Sequence, residues 1–188
     1  MTTEIDLTRN PIWVKRVEGL FDTMDVNGNG LLSISEILKW ADNLEKACKA
    51  TPKEIKSLRE ALQMMWGVVG LVPGVELDKK QFVKGFNRLA KGELKRHAEH
   101  KTTLHNRQNN AFFDVIDVNN DGTVSLDEVK TMMKACNYDE DAAEAWFNAA
   151  DTNRDGRIDR NELNKVEFEY WFSNPQPSNK GLFGGVFE

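Results

Sequence analysis

The sequence predicts an all-α protein, compact and two-lobed, made of four helix–loop–helix units. Three observations carry this expectation. One twelve-residue pattern occurs three times, helical apolar spacing brackets each copy, and a fourth, eroded copy lies where a pairing partner is needed. The composition permits such a body: of 188 residues, 40% are hydrophobic and 9% aromatic, enough for a real core. A net charge of −5, from 25 bases and 30 acids, argues against nucleic acid, because phosphate binding needs a basic face. No apolar run approaches the ~20 residues that cross a bilayer, so no membrane role is expected. The start, MTTEIDLTRN, is polar and is not a secretory signal. Cys48 and Cys136 are far apart and read as reduced thiols, so a soluble cytoplasmic protein is expected.

The elements follow in chain order. Asn10-Pro11 opens the first helix, with proline at its first position. Val14, Val17, Leu20, Phe21 and Met24 give it helical apolar spacing. DVNGNGLLSISE, Asp25 to Glu36, follows. Thr51-Pro52-Lys53-Glu54 is a capping box that starts a helix through about Val69. Phe82, Phe86 and Leu89 mark the helix after Asp78. The join at Glu99 to Thr103 is short, which argues against a dumbbell with a long central helix. Phe112, Phe113 and Ile116 lead into DVNNDGTVSLDE, Asp117 to Glu128. Trp146, Phe147 and Ala150 lead into DTNRDGRIDRNE, Asp151 to Glu162. Eight helices in two pairs result, at residues 1–100 and 101–188.

Each repeat has oxygen-bearing side chains at positions 1, 3, 5, 9 and 12 and glycine at 6, the pattern of an EF-hand calcium loop. Calcium is a hard cation that takes about six to eight oxygens. Twelve residues can surround it only if the chain reverses midway, at Gly30, Gly122 and Gly156. The expected ligands of the first loop are Asp25, Asn27, Asn29, the Leu31 carbonyl, Ser33 and Glu36. Those of the next matching loop are Asp117, Asn119, Asp121, the Thr123 carbonyl, Ser125 and Glu128. Those of the last are Asp151, Asn153, Asp155, the Arg157 carbonyl, Asp159 and Glu162. The glutamates should close each cage with two oxygens, and position 9 is often a water-mediated ligand. Ser33, Ser125 and Asp159 also begin capping boxes, so helix start and metal site are specified together. Leu32, Val124 and Ile158 suit a short strand contact between paired loops.

GLVPGVELDKKQ, Gly70 to Gln81, stands where the first loop's partner belongs. Gly70, Val72, Gly74 and Gln81 have lost the ligands, while Leu77 and the Asp78–Gln81 capping pattern remain. It reads as a half-partner without calcium. After Pro175 and Pro177, the apolar Leu182, Phe183, Val186 and Phe187 are expected to fold over the body as a lid. Five tryptophans and ten phenylalanines fit a large core, or a cavity for an apolar small molecule. The dispersed Met24, Met64, Met65, Met132 and Met133 read as core filling rather than as a partner groove. The basic run Lys95 to Lys101 reads as a solvated helix end. His105 has no partner at metal spacing, and no nucleophile–base set is visible, so no enzyme is expected.

With these motifs the chain resembles the four-EF-hand superfamily of sarcoplasmic calcium-binding proteins, calexcitin, coelenterazine-binding proteins and calcium-regulated photoproteins. NPIWVKR and KATPKE resemble hydrozoan photoproteins, and SNPQPSNKGLFG resembles the sarcoplasmic proteins and calexcitin. The resemblance implies a degenerate second loop, as found. It also implies a set of light-chemistry residues that this chain lacks. The first-helix histidine aligns with Val17, two tryptophans with Phe86 and Val129, and a tyrosine with Met132. The last-helix histidine aligns with Glu167, and the C-terminal tyrosine with Phe183; Phe187-Glu188 replaces a terminal proline, and Trp171 is kept. Inefficient light emission is therefore expected.

The expected function is a calcium buffer or signal responder binding three Ca²⁺, with Mg²⁺ a competitor at rest. Three ions would take the charge from −5 to about +1. The first loop has two charged ligands, the next three and the last four, so the first should be weakest. Dissociation constants on the order of 10⁻⁸ to 10⁻⁵ M would be ordinary. The alternative is a coelenterazine-binding protein or calcium-triggered photoprotein with an internal cavity. The sequence names no protein target.

Overall fold

The computed structural model describes residues 5–175. Asn10 caps the first helix, α1 (Pro11–Met24), by accepting hydrogen bonds from the N–H groups of Ile12 and Trp13. A short strand, β1 (Leu31–Ser33), leads into α2 (Ile34–Cys48). The capping box at Thr51 and Glu54 starts α3 (Pro52–Val69), and Gly70, at φ +119°, ends it. Strand β2 (Glu76–Asp78) and α4 (Lys79–Ala98) complete the first half. The second half contains α5 (Leu104–Ile116), β3 (Thr123–Val124), α6 (Leu126–Ala135), α7 (Ala143–Ala150), β4 (Ile158–Asp159) and α8 (Arg160–Phe172). The helix expected through Val69 ends there, and the eight helices are all present.

The strands tie the loops in twos. β1 runs antiparallel to β2 with Leu32 opposite Leu77. β3 runs antiparallel to β4 with Val124 opposite Ile158. The apolar position 8 therefore makes the cross-strand pair in both cases. The eroded loop still pairs, although its carboxylates are gone. Arg88 on α4 adds a second tie, donating to the carbonyls of Val68 and Val69 at 3.0 and 2.9 Å. Those carbonyls lie at the negative end of α3, where a cation is favoured.

One hydrophobic core runs through both halves. Phe82, Phe86, Trp66 and Trp13 from the first half meet Trp171 and Phe172 from the last helix, with Phe86 stacked on Phe172 at 6.0 Å. The ends of the chain meet here too. The Trp13 indole donates to the Trp171 carbonyl at 2.9 Å, and Arg16 donates to the Tyr170 carbonyl at 2.7 Å while lying over that tyrosine ring. Glu93 of α4 is buried and accepts from the N–H groups of Leu104 and His105. A carboxylate thus caps α5 across the join, satisfying donors at a positive helix end. Such packing leaves no room for a dumbbell.

Four of the five methionines noted in the sequence are buried, whereas Met64 is 47% exposed. Met64 and Met65 are neighbours on a helix, so their side chains point about 100° apart and only one can face the core. The basic run around Lys95 is on the surface, with Lys101 paired to Glu99. The apolar tail segment at Leu182, Phe183, Val186 and Phe187 lies outside the described residues. No helix among the described residues is long and apolar enough to cross a membrane.

Both thiols are buried. Burial, with the nearby Glu128 carboxylate, pushes Cys48 from 9.0 up to about 11, and burial pushes Cys136 up as well. Neither should react with Ellman's reagent at pH 8 until the protein unfolds, when both should. Rapid reaction of the native chain would contradict this packing. The folded state holds the Cys48 proton more tightly, so its contribution to stability is complete below pH 9 and declines as pH rises toward 11.

Candidate metal loops and an internal cavity

Three loops have the same internal net. In the first, Asp25 accepts from the N–H groups of Asn29 and Gly30, Asn27 from that of Asn29, and Asn29 from that of Leu31. In the second, Asp117 accepts from Asp121 and Gly122, Asn119 from Asp121, and Asp121 from Thr123. In the third, Asp151 accepts from Asp155 and Gly156, Asn153 from Asp155, and Asp155 from Arg157. The oxygens at positions 1, 3 and 5 are thus turned into the loop by its own backbone. Gly30, Gly122 and Gly156 stand at φ +77°, +82° and +83°, where a side chain would be strained.

The position-12 glutamates fold back in the same way. Glu36, Glu128 and Glu162 each accept from the N–H of position 9, at 3.0, 2.8 and 2.9 Å. Their second oxygens reach the other side of the loop. Glu36 takes the Asn27 amide, Glu128 the Val118 N–H, and Glu162 the N–H groups of Thr152 and Asn153. Burial works against ionisation of Glu162, but the N–H groups of Asp159 and Asn153 and the Thr152 hydroxyl hold its carboxyl below the usual range. Ser33, Ser125 and Asp159 are the N-caps of α2, α6 and α8, and Leu31 and Thr123 open strands β1 and β3. Arg157 directly precedes β4.

The donor set fits a hard divalent cation. Each loop offers hydroxyl, amide or carboxylate oxygens and a main-chain carbonyl, and no sulfur or imidazole. Asp117, Asp151, Glu36 and Glu162 are buried and are held by neutral N–H groups. Among the described residues, no three His, Cys, Asp or Glu side chains converge on one point. The carboxylates are spread round each loop on N–H donors, with amides between them. Gly70 to Gln81 has no such net; its turn is closed by backbone bonds such as Val75 N–H to the Val72 carbonyl.

One contact crosses between loops. The Arg157 guanidinium donates to Asp121 at 2.6 Å and to the Thr123 hydroxyl at 2.8 Å. The Thr123 hydroxyl, the Asn119 amide and this guanidinium hold Asp121 well below the usual carboxylate range, against some burial. In the sequence Arg157 is legible only as the position-7 carbonyl; its side-chain contact follows from the pairing of the loops.

A cavity of about 80 Å³ lies in the shared core. That is well beyond the ~10–15 Å³ one water needs. Trp40, Trp66, Phe86, Phe112, Trp146 and Trp171 form much of the wall. Glu167 also lines it, accepting from the indoles of Trp146 at 3.2 Å and Trp171 at 2.9 Å. His105, Gln108 and Asn109 come from one face of α5, each more than nine-tenths buried. Among the described residues, His105 Nδ1, Gln108 Oε1, Asn109 Nδ2 and Trp66 Nε1 find no hydrogen-bond partner. Metal-ligand spacing around His105 does not reveal this group. The available signal was different: three polar residues at i, i+3 and i+4 on a helix face that is otherwise apolar.

An EF-hand domain-pair model matches residues 107–166, and a single EF-hand model matches 17–39. Aequorin-1 of Aequorea victoria is 33% identical over 94% of this chain and 91% of its own length. The crystal structure of the apoaequorin complex with (S)-HM-daCTZ superposes with a TM-score of 0.86 at 30% identity, covering 95% of this chain and 93% of that one. The structure of the ctenophore photoprotein berovin, in which all three calcium-binding loops bind magnesium, superposes at 0.77 with 31% identity, over 83% and 86% of the two chains.

Proposed function

This chain belongs to the EF-hand family of calcium-regulated photoproteins and binds calcium, and on that premise we propose that three of its loops each hold one ion. The loops are Asp25–Glu36, Asp117–Glu128 and Asp151–Glu162. The observation that carries the proposal is the hydrogen-bond net repeated in all three and missing from Gly70–Gln81. Positions 1, 3 and 5, the carbonyls of Leu31, Thr123 and Arg157, and both oxygens of Glu36, Glu128 and Glu162 would ligate. Ser33, Ser125 and Asp159 would act directly or through water. On binding, each glutamate exchanges loop N–H groups for the ion. That moves the start of α2, α6 or α8, because the same glutamate closes the helix cap. Magnesium competes for these sites, a reading supported by berovin, whose three calcium-binding loops bind magnesium.

We read the protein as a non-enzymatic buffer or responder of the cytoplasm, organised as loop pairs within 1–100 and 101–188. Its cavity takes a small, largely apolar molecule. The aequorin complex supports a ligand in this fold. Glu167 stands on α8 with two indoles on its carboxylate, at the position where the resemblance implies a histidine, which supports inefficient light emission. Calorimetry at neutral pH tests the main reading: three calcium ions are expected, and two or four refute it. Charging the protein with coelenterazine and oxygen and then adding calcium tests the rest. A flash of light would overturn the non-luminescent reading.

The loops should also be coupled through Arg157. A guanidinium 2.6 Å from Asp121 repels an arriving dication. Arg157→Gln should raise calcium affinity at Asp117–Glu128 by roughly threefold to tenfold, the more so at low salt. Weaker binding would show instead that Arg157 preorganises the loop.

A further inference from the structure

We propose that the outer face of α4 docks on an anionic phospholipid membrane, so that the protein lies on the bilayer without crossing it. Helix α4 carries seven of the chain's 25 lysines and arginines, and its one acid, Glu93, is buried as the cap of α5. The helix is therefore strongly cationic in a chain whose net charge is −5. Five of the seven bases fall on one line. Lys80, Lys84, Arg88, Lys91 and Lys95 recur at spacings of three and four, so at about 100° per residue they share an arc of about 80°. Phe82, Phe86, Leu89 and Glu93 are buried on the opposite side. Lys80, Lys84, Arg88 and Lys95 are exposed and Lys91 is half-buried, in a stripe about 22 Å long.

Few counter-charges meet this stripe. Asp22 pairs with Lys79, which stands off the line, and Glu99 pairs with Lys101 while also attracting Lys95. Asp6 attracts Lys91. Arg88 is held by two carbonyls, which leave its charge uncompensated. Lys80 and Lys84 make no ion pair among the described residues. Apolar side chains stand beside these cations. Val68, Val72 and Val75 are each more than a third exposed. Arg88 donates to the Val68 carbonyl, and Val72 and Val75 belong to the turn that follows. Cations next to exposed apolar groups match a bilayer boundary, where phosphates meet acyl chains. A nucleic acid gives the valines nothing to bury in. An acidic peptide would need carboxylates in register with five bases, whereas a lipid surface presents charge at every point. Carboxylates on the far side of the core are screened, since the Debye length is about 10 Å in 0.1 M salt.

The test is flotation of the full chain with vesicles at neutral pH, in EDTA so that calcium cannot bridge protein and lipid. Phosphatidylcholine vesicles with about 30% phosphatidylserine should bind it about a hundredfold more tightly than phosphatidylcholine alone in about 0.1 M salt, and about 0.5 M salt should abolish the difference. The variant Lys80→Gln, Lys84→Gln, Lys95→Gln should lose at least about tenfold of that affinity. Glutamine is as good a helix former as lysine and all three sites are exposed, so this variant should fold. The comparison variant Lys46→Gln, Lys53→Gln, Lys134→Gln removes the same charge from exposed sites on α2, α3 and α6, and should stay within about threefold of the wild type. Equal losses in the two variants would show that net charge and not the stripe drives binding, and would overturn the proposal. Binding to poly-glutamate but not to vesicles overturns the lipid assignment and gives this face to an acidic protein. Failure to bind either probe leaves the outer face of α4 as a solvated surface and also overturns it.

Discussion

Glu128→Gln should lower the number of calcium ions bound from three to two, and affinity at Asp117–Glu128 should fall by roughly a hundredfold. Glutamine has one oxygen where glutamate has two, and it has lost the negative charge. The change also touches the apo loop. One Glu128 oxygen accepts from Val118 N–H at 3.0 Å, and the other from the N–H and hydroxyl of Ser125 at 2.8 Å. An amide nitrogen cannot accept, so one side of that clamp opens. The last loop should keep its ion, because β3 still pairs with β4 through Val124 and Ile158. Its affinity should shift only modestly. A calorimetric count that stays at three would remove Glu128 from the ligand set, and with it the reading of position 12 in the other loops.

Gly85→Ala should destabilise the protein by about 3 kcal/mol, near the upper end for a single overpacking change. A Cβ at residue 85 would lie 2.0 Å from the Val69 carbonyl oxygen and 2.9 Å from its carbon. Both are backbone atoms at the buried end of α3, so no side-chain rotation relieves the contact. Helix α4 would have to withdraw from α3. That also strains the Arg88 bonds to Val68 and Val69, which close the first pair of loops. Gly92, further along the same helix, provides the comparison. Nothing lies within 4 Å of its added Cβ, so Gly92→Ala should stabilise by about 0.5–1 kcal/mol through helix propensity. Denaturant melts of the two variants should move in opposite directions; equal shifts would contradict this helix contact.

The two cases also separate what can be read locally from what cannot. Both glycines interrupt one helix and look alike in sequence. Only the approach of Val69, sixteen residues back, makes Gly85 obligatory. The twelve-residue loops are the opposite case. Their ligands, their turn glycines and the caps of the following helices lie within one short segment, so spacing alone specifies them. The partner for the first loop was legible for the same reason: Leu77 and the Asp78–Gln81 box survive where the carboxylates do not.

The sequence by itself therefore determined the helices, the three oxygen-rich loops and the loss of the fourth, because each depends on residues a few positions apart. The tertiary structure alone decided the rest. It placed Glu167 of α8 against Trp146 of α7, brought His105 and Gln108 of α5 to the same cavity, and laid Arg157 on Asp121. It also set Glu93 under the start of α5. Those contacts join groups 11 to 62 residues apart. No periodicity encodes them, because they follow from how helices pack into one core.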